Sequence, residues 1–260
     1  MVSRITKCLA ILGVLSLAVV AGKPTHSQDA IVKIGTEGTY APFSYYTSDG
    51  KLTGFDVELT QALCDAAKIR CEFVTLEYEG MVEALQQKKI DAVSAGMPIT
   101  EKRKKVVAFT DPIRSSDKRF DTCKSDQFQD ISPEALKSHI IGTQSGTSSV
   151  DYFKAHYAGS DIRLYKSMDE AFQDLAAGRI ELAMATEPVG YSFINTPGGK
   201  GCAFVGPRLK DEKLFGSGVG LALRKDDEGL VENFNRALRA IRDNGTYEAI
   251  NKKYFPFSVY

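Results

Sequence analysis

Glu37, Tyr40, Tyr78 and Arg103 have the types and the spacing to hold a small charged molecule, because each follows closely on a short apolar run. The turn Glu37-Gly38-Thr39-Tyr40-Ala41-Pro42-Phe43 puts an acid, two aromatics and a proline together. Glu37 suits a cationic group, Tyr40 a pocket wall, and Phe43 reads as core. Tyr78, in Glu77-Tyr78-Glu79-Gly80, can stack on the far side of the same ligand. Two aromatic faces then sandwich an apolar stem or a guanidinium, at about 1 kcal/mol per contact. The competing reading of Tyr78 is an exposed ring on a helix cap. In Ala95-Gly96-Met97-Pro98 the small residues let a ligand approach the backbone. Arg103 lies about one helical turn beyond Thr100, and its fork pairs bidentately with a carboxylate. An ordinary charged face over Glu101 to Lys105 competes with that role. Ser145 to Ser149 is rich in glycine and hydroxyls, with Thr147 and Ser148 at a helix start. Free N–H groups and the helix dipole there attract carboxylates, and plain N-capping is compatible with this. Thr186 and Glu187 place a hydroxyl and an acid at one further strand end.

The elements around these residues alternate. Ile31 to Gly35 reads as a strand and Gly54 to Lys68 as a helix, with Phe55, Leu59, Leu63 and Ala66 on one stripe. Cys71 to Thr75 (strand), Gly80 to Lys88 (helix) and Ile90 to Ser94 (strand) complete a βαβαβ unit, which implies a mostly parallel sheet flanked by helices. A second series starts after Asp111-Pro112: a strand at Lys118 to Cys123, a helix start at Ser132-Pro133-Glu134, and a strand at Ile140 to Thr143. Thr147 to Ala158 and Met168 to Ala177 read as helices. Ile162 to Tyr165, Ile180 to Ala185, Ala203 to Val205 and Gly218 to Leu223 read as strands. Leu230, Phe234, Leu238 and Ile241 mark an amphipathic helix that ends at Asn244-Gly245. The fold class is therefore α/β in two lobes, with a cleft outside the carboxyl ends of the strands.

Composition narrows the function. The chain has 43% apolar and 25% charged residues, with 33 basic and 33 acidic side chains. That supports a packed core and argues against nucleic-acid binding, which favours a basic excess. Arg4 and Lys7 precede a 14-residue apolar run, Cys8 to Ala21, so residues 1–22 read as a secretory signal peptide. Removing Met1 to Ala21 leaves 31 basic against 33 acidic residues, a charge of −2. Export permits disulfides. Cys64 and Cys71 lie close enough for a local staple, whereas Cys123 and Cys202 can pair or stay free. The three histidines are scattered and no ligand cluster calls for a metal, so no cofactor is expected.

Taken together, E-G-T-Y-A-P-F, G-F-D-V-E-L, D-A-V-S-A-G-M-P-I-T-E-K-R, T-Q-S-G-T-S and the C-terminal G-T-Y-E-A-I-N-K-K-Y-F-P-F resemble the bacterial periplasmic polar amino-acid-binding proteins of ABC importers. The look is nearest to the lysine/arginine/ornithine- and histidine-binding branch, and the spacing of Cys64 and Cys71 resembles that branch's disulfide. The resemblance implies a periplasmic-binding-protein fold with lobe one at 30–113 plus 216–260, lobe two at 114–215, and two crossings between them. It implies a non-enzymatic periplasmic receptor, monomeric, that delivers its ligand to a membrane permease. Arg103, helped by the Ser148 region, would clamp the α-carboxylate; Tyr40 and Tyr78 would stack on the side chain, and Glu37 would meet its cationic end. The chain departs from the pattern at Thr186, where such proteins usually carry an aspartate for the α-ammonium. Pro98 and Ala95-Gly96 also replace hydroxyl-bearing positions. Opine-binding relatives, whose ligands carry an N-substituted amino group, lack that aspartate too, so a receptor for an opine is the alternative. A cyclohexadienyl-dehydratase-like enzyme with Glu187 as general acid, and a sensory binding protein, are further readings.

Overall fold

The computed structural model describes residues 31–260. The expected signal peptide at 1–22 lies outside the described residues. In chain order the first part comprises β1 (Ile31–Thr36), β2 (Thr39–Tyr40), β3 (Ser44–Tyr46), β4 (Leu52–Thr53), α1 (Phe55–Ala67), β5 (Arg70–Thr75), α2 (Met81–Gln86), β6 (Ala92–Val93), α3 (Glu101–Lys104) and β7 (Ala108–Phe109). The second part comprises β8 (Lys118–Thr122), β9 (Ile140–Gln144), α4 (Ser148–His156), β10 (Asp161–Tyr165), α5 (Met168–Ala176), β11 (Leu182–Thr186), α6 (Glu187–Ile194) and β12 (Ala203–Leu209). The chain closes with α7 (Glu212–Phe215), β13 (Ala222–Leu223), α8 (Glu228–Asp243) and α9 (Thr246–Tyr254).

Two five-stranded sheets result, in the orders β5-β1-β6-β13-β7 and β10-β9-β11-β8-β12. Their plans match. In the first, β1 runs parallel to β5 and β6, and β13 is antiparallel to both its neighbours. In the second, β9 runs parallel to β10 and β11, and β8 is antiparallel to both its neighbours. Each sheet with its helices forms one lobe, as the alternating pattern predicts. The chain passes from β7 to β8 and returns between β12 and β13. The two crossings lie side by side, with Val219 bridging both Arg114 and Pro98.

The apolar stripe of α1 buries Phe55, Leu59 and Leu63 against α8 and α9, whereas Ala66 is exposed and Cys64 takes the inner position. Cys64 is bonded to Cys71 of β5, and Cys123 to Cys202. Leu230, Phe234, Leu238 and Ile241 of α8 are buried as their spacing requires. Three readings are corrected. Residues 132–138 form turns rather than a helix, because the segment is anchored only by buried Leu136 and ends at Ser138 with φ 71°. The strand expected over Gly218 to Leu223 is reduced to β13 plus the Val219 bridges. Gly245, with φ 81°, does not simply end α8 but turns the chain into α9, an element the periodicity did not show.

Candidate functional site

The two lobes meet along a cleft whose walls are the strand ends. From the first lobe, Glu37 follows β1, Tyr40 sits in β2, Tyr78 in a single 3₁₀ turn after β5, and Ala95 to Pro98 follow β6. From the second, Gln144 ends β9, Thr147 and Ser148 open α4, and Thr186 ends β11. Contacts across the cleft join these walls. Gln144 Nε2 donates to Glu37 Oε1 at 2.6 Å, and the hydroxyls of Tyr40 and Thr186 lie 3.3 Å apart. At the rim, Ser145 Oγ donates to Glu79 at 2.7 Å and Lys102 pairs with Asp151 at 2.9 Å.

Glu37 is only 3% exposed, and its second oxygen, Oε2, has no protein partner. Burial pushes its carboxyl up to about 8, a rise that the Gln144 bond opposes and the charges of Asp169 and Asp56 reinforce. A buried acid of this kind is costly to ionise alone and gains most from a cation placed beside it. Tyr40 and Tyr78 are both buried, so the Tyr78 ring is not exposed on a helix cap. The Arg103 guanidinium lies 5.8 Å from the Tyr78 ring centroid.

Thr100 caps α3 by accepting from the Arg103 backbone N–H at 3.3 Å, and this fixes where the arginine side chain starts. Arg103 then donates to the Pro98 carbonyl at 3.3 Å and, across the cleft, to the Gly146 carbonyl at 3.2 Å. It therefore stands in the cleft beside the start of α4, not on an outer charged face. Ala95, Met97 and Pro98 are buried behind it. Thr147 turns its hydroxyl back to the Gln144 carbonyl at 2.8 Å, while the Ser148 hydroxyl is buried without a protein partner. Glu187 goes elsewhere: it is held by Arg119 and Arg208, away from Thr186 and the cleft. Glu187 is already the first residue of α6, one position beyond the end of β11, and so leaves the strand's alternation.

Four residues here escaped the sequence reading: Asp56, Arg114, Lys118 and Gln144. Arg114, in the crossing after β7, is 1% exposed and donates through Nε and Nη2 to the two oxygens of fully buried Asp56, each at 3.1 Å. Its guanidinium lies 3.6 Å from the Phe43 ring centroid. Gly96, with φ 66°, makes room for it: a Cβ there would sit 2.7 Å from Arg114 Nη2 and 3.3 Å from Tyr40 Cε1. Asp56 lies within G-F-D-V-E-L, yet no local signal pairs it with a residue 58 positions away. Lys118, which opens β8, is 5% exposed.

The described residues hold no cluster of three or more metal-ligating side chains. Comparison with known proteins bears on the family and the fold. The profile of the bacterial extracellular solute-binding proteins, family 3, matches residues 32–257. The L-arginine-binding protein of Pseudomonas aeruginosa is 43% identical over 258 residues, 98% of either chain. The histidine-binding periplasmic protein of Escherichia coli K12 is 41% identical over 254 residues, 95% of this chain and 96% of that one. Among solved structures, an ancestral arginine-binding protein bound to arginine superposes with a TM-score of 0.80 at 33% identity, covering 88% of this chain and all of the other.

Proposed function

The chain belongs to the bacterial extracellular solute-binding proteins, family 3, and from that premise we propose that it captures an amino acid or amino-acid derivative with a cationic side chain between its lobes. The single observation that carries this reading is Glu37, a buried carboxyl bonded across the cleft to Gln144 with one oxygen left for a ligand. Tyr40 and Tyr78 flank the path from Glu37 toward Arg103, which supports an apolar stem between a cationic tip and a carboxylate. Arg103 takes the carboxylate, aided by Ser148 at the start of α4. The relatives named for arginine and histidine support the cationic class.

The remaining parts of this reading follow from the same kinship. Residues 1–22 direct export and are removed, so the receptor works in the periplasm. The lobes, 30–113 plus 216–260 and 114–215, open and close about the two crossings, and the closed form presents the ligand to an ABC permease. N-terminal sequencing of the exported protein tests the first point.

The ligand reading is tested by a thermal-shift and calorimetry panel of the common amino acids. A ligand at about 100 times its Kd adds about 2.7 kcal/mol of stability, which is easily read. Basic amino acids or their derivatives are expected to shift the transition, and acidic and apolar ones to leave it unmoved. Arg103→Ala and Glu37→Gln each remove one partner of a desolvated charge pair, a loss of about 2–5 kcal/mol in affinity. A response to apolar amino acids alone would refute the reading.

A further inference from the structure

Glu37 has a second side. It closes the inner end of a cavity of about 340 Å³ between the lobes, with β2, β3 and the end of β5 on one side and the start of α5 on the other. Small-molecule pockets run from roughly 300 to 1,000 Å³, so the space is large enough for part of a ligand. Tyr40, Tyr78 and Arg103 do not line it, and the exposed residues Thr39, Glu77 and Glu170 form its rim. The cavity therefore leads outward from Glu37, past the point where a side chain of ordinary length ends. Its inner end is a carboxyl 3% exposed whose Oε2 has no protein partner.

The walls are fixed by local bonds. Tyr46 donates its hydroxyl to Thr75 Oγ1 at 3.2 Å, and Gly38 leaves room for its ring, which a Cβ there would overlap. On the opposite lobe Ser167 caps α5 by accepting from the Glu170 N–H at 3.2 Å, and Glu170 Oε2 accepts from the Lys166 N–H at 3.1 Å. Gln144 joins the two walls, donating to Glu37 at 2.6 Å and to the Lys166 carbonyl at 3.1 Å. The cavity is thus present with the lobes in contact. Its lining carries three acids, Glu37, Glu77 and Glu170, and one base, Lys166. Lys166 lies 3.5 Å from Glu77, and both are exposed. Exposed pairs of this kind contribute little, so an incoming cation displaces Lys166 at small cost. An anion would meet three acids, and an uncharged arm would gain only the Tyr46 and Leu76 surfaces.

We propose that this cavity is a second cation subsite, and that the receptor takes basic amino acids whose side chain continues past a first cation to a second one, as a polyamine chain does. The inference rests on the cleft-receptor reading above and extends its substrate class. The first cation meets Glu37, the stem beyond it lies against Tyr46 and Leu76, and the terminal ammonium meets Glu170 and Glu77.

Calorimetry on the purified protein with L-lysine, N6-propyl-L-lysine and N6-(3-aminopropyl)-L-lysine tests the subsite. The propyl compound is expected to bind within about tenfold of L-lysine, because its arm enters the cavity. The aminopropyl compound is expected to bind at least about threefold more tightly than the propyl one at low salt. That advantage should shrink at about 1 M salt, where exposed charges are screened. Glu77→Gln combined with Glu170→Gln is expected to bring the ratio of the aminopropyl to the propyl affinity to near one. A loss of more than about tenfold for both extended compounds shows that the side chain ends at Glu37 and overturns the subsite. An aminopropyl compound no tighter than the propyl one, an advantage indifferent to salt, or a ratio unchanged in the double variant also overturns it. Each of these outcomes leaves the receptor reading standing. Failure of all three compounds to bind, together with L-arginine and L-histidine, overturns both readings.

Discussion

Arg114 and Asp56 show how a single pair can hold a site together and yet leave no trace in a sequence motif. Both side chains are fully buried, and the two bonds between them tie the crossing after β7 to the first turn of α1. Such a pair is weak evidence of net stabilisation, since desolvation consumes much of the attraction, but removing one partner leaves an uncompensated buried charge. Arg114→Leu is therefore expected to destabilise the protein by about 3–5 kcal/mol in urea unfolding, and Arg114→Leu with Asp56→Leu to recover most of that loss. A double variant as unstable as the single one would contradict this account. Gly96 belongs to the same unit. Gly96→Ser puts a side chain at φ 66° and against Arg114 Nη2, so a loss of about 1–2 kcal/mol from the backbone alone is expected in the same measurement. The site residues read from the sequence, Glu37, Tyr40, Tyr78 and Arg103, all follow a recognisable strand or cap within a few positions. Gln144 also ends a recognisable strand, but nothing local pairs it with Glu37, 107 positions away; Asp56 and Arg114 are placed by a pairing 58 positions apart, and Lys118 by strand register.

At the scale of elements, periodicity marked those that bury a stripe and missed those held by other means. The stripe of α8 and the run of β9 were legible because a 3.6-residue or continuous apolar pattern is a local property. The short strands β2, β3 and β4 carry too few residues to show alternation, and α6 and α9 begin directly at a strand end and at Gly245, without a polar spacer. Pairing of Cys123 with Cys202 was equally illegible, since β8 and β12 become neighbours only through the sheet order. The two disulfides differ in what they constrain. One closes a separation of 7 residues and the other one of 79. In the chain-entropy description these correspond to about 2.4 and about 4.5 kcal/mol. Replacing Cys123 and Cys202 together by serine is expected to lower stability by about 2 kcal/mol more than replacing Cys64 and Cys71. Equal losses in urea titrations of the two double variants would show that strain or residual structure, rather than loop length, governs their contribution.

For the whole molecule, the lobe closure proposed above would bury Glu37 and Lys118, and these two groups then set the pH at which it occurs without a ligand. Glu37 faces Gln144 across the cleft, with Asp169 and Asp56 near, and its carboxyl rises from 4.5 to about 8. A raised acid favours the closed form below pH 4.5, and that support is lost as pH climbs through 8. Lys118 faces Arg114 and Arg103, and its ammonium falls from 10.5 to about 7. A lowered base favours the closed form above pH 10.5, and that support is lost as pH falls through 7. The two penalties overlap most between pH 7 and 8, where Glu37 is being driven to ionise and Lys118 still holds much of its charge. Closure without a ligand is therefore least favourable near neutral pH, and a ligand that brings a cation to Glu37 relieves the penalty on that side. Small-angle scattering of the unliganded protein is expected to give its largest radius of gyration at pH 7–8, with compaction toward pH 5 and toward pH 9.5. Glu37→Gln should abolish the alkaline arm of the penalty and Lys118→Met the acid arm, so that each variant is compact on the corresponding side of neutrality. A radius that does not vary with pH in the parent protein would show that neither group is desolvated by closure, and ligand dependence of the closed form would then rest on the rim contacts such as Lys102 with Asp151, which are exposed and contribute about 0.2–1 kcal/mol each.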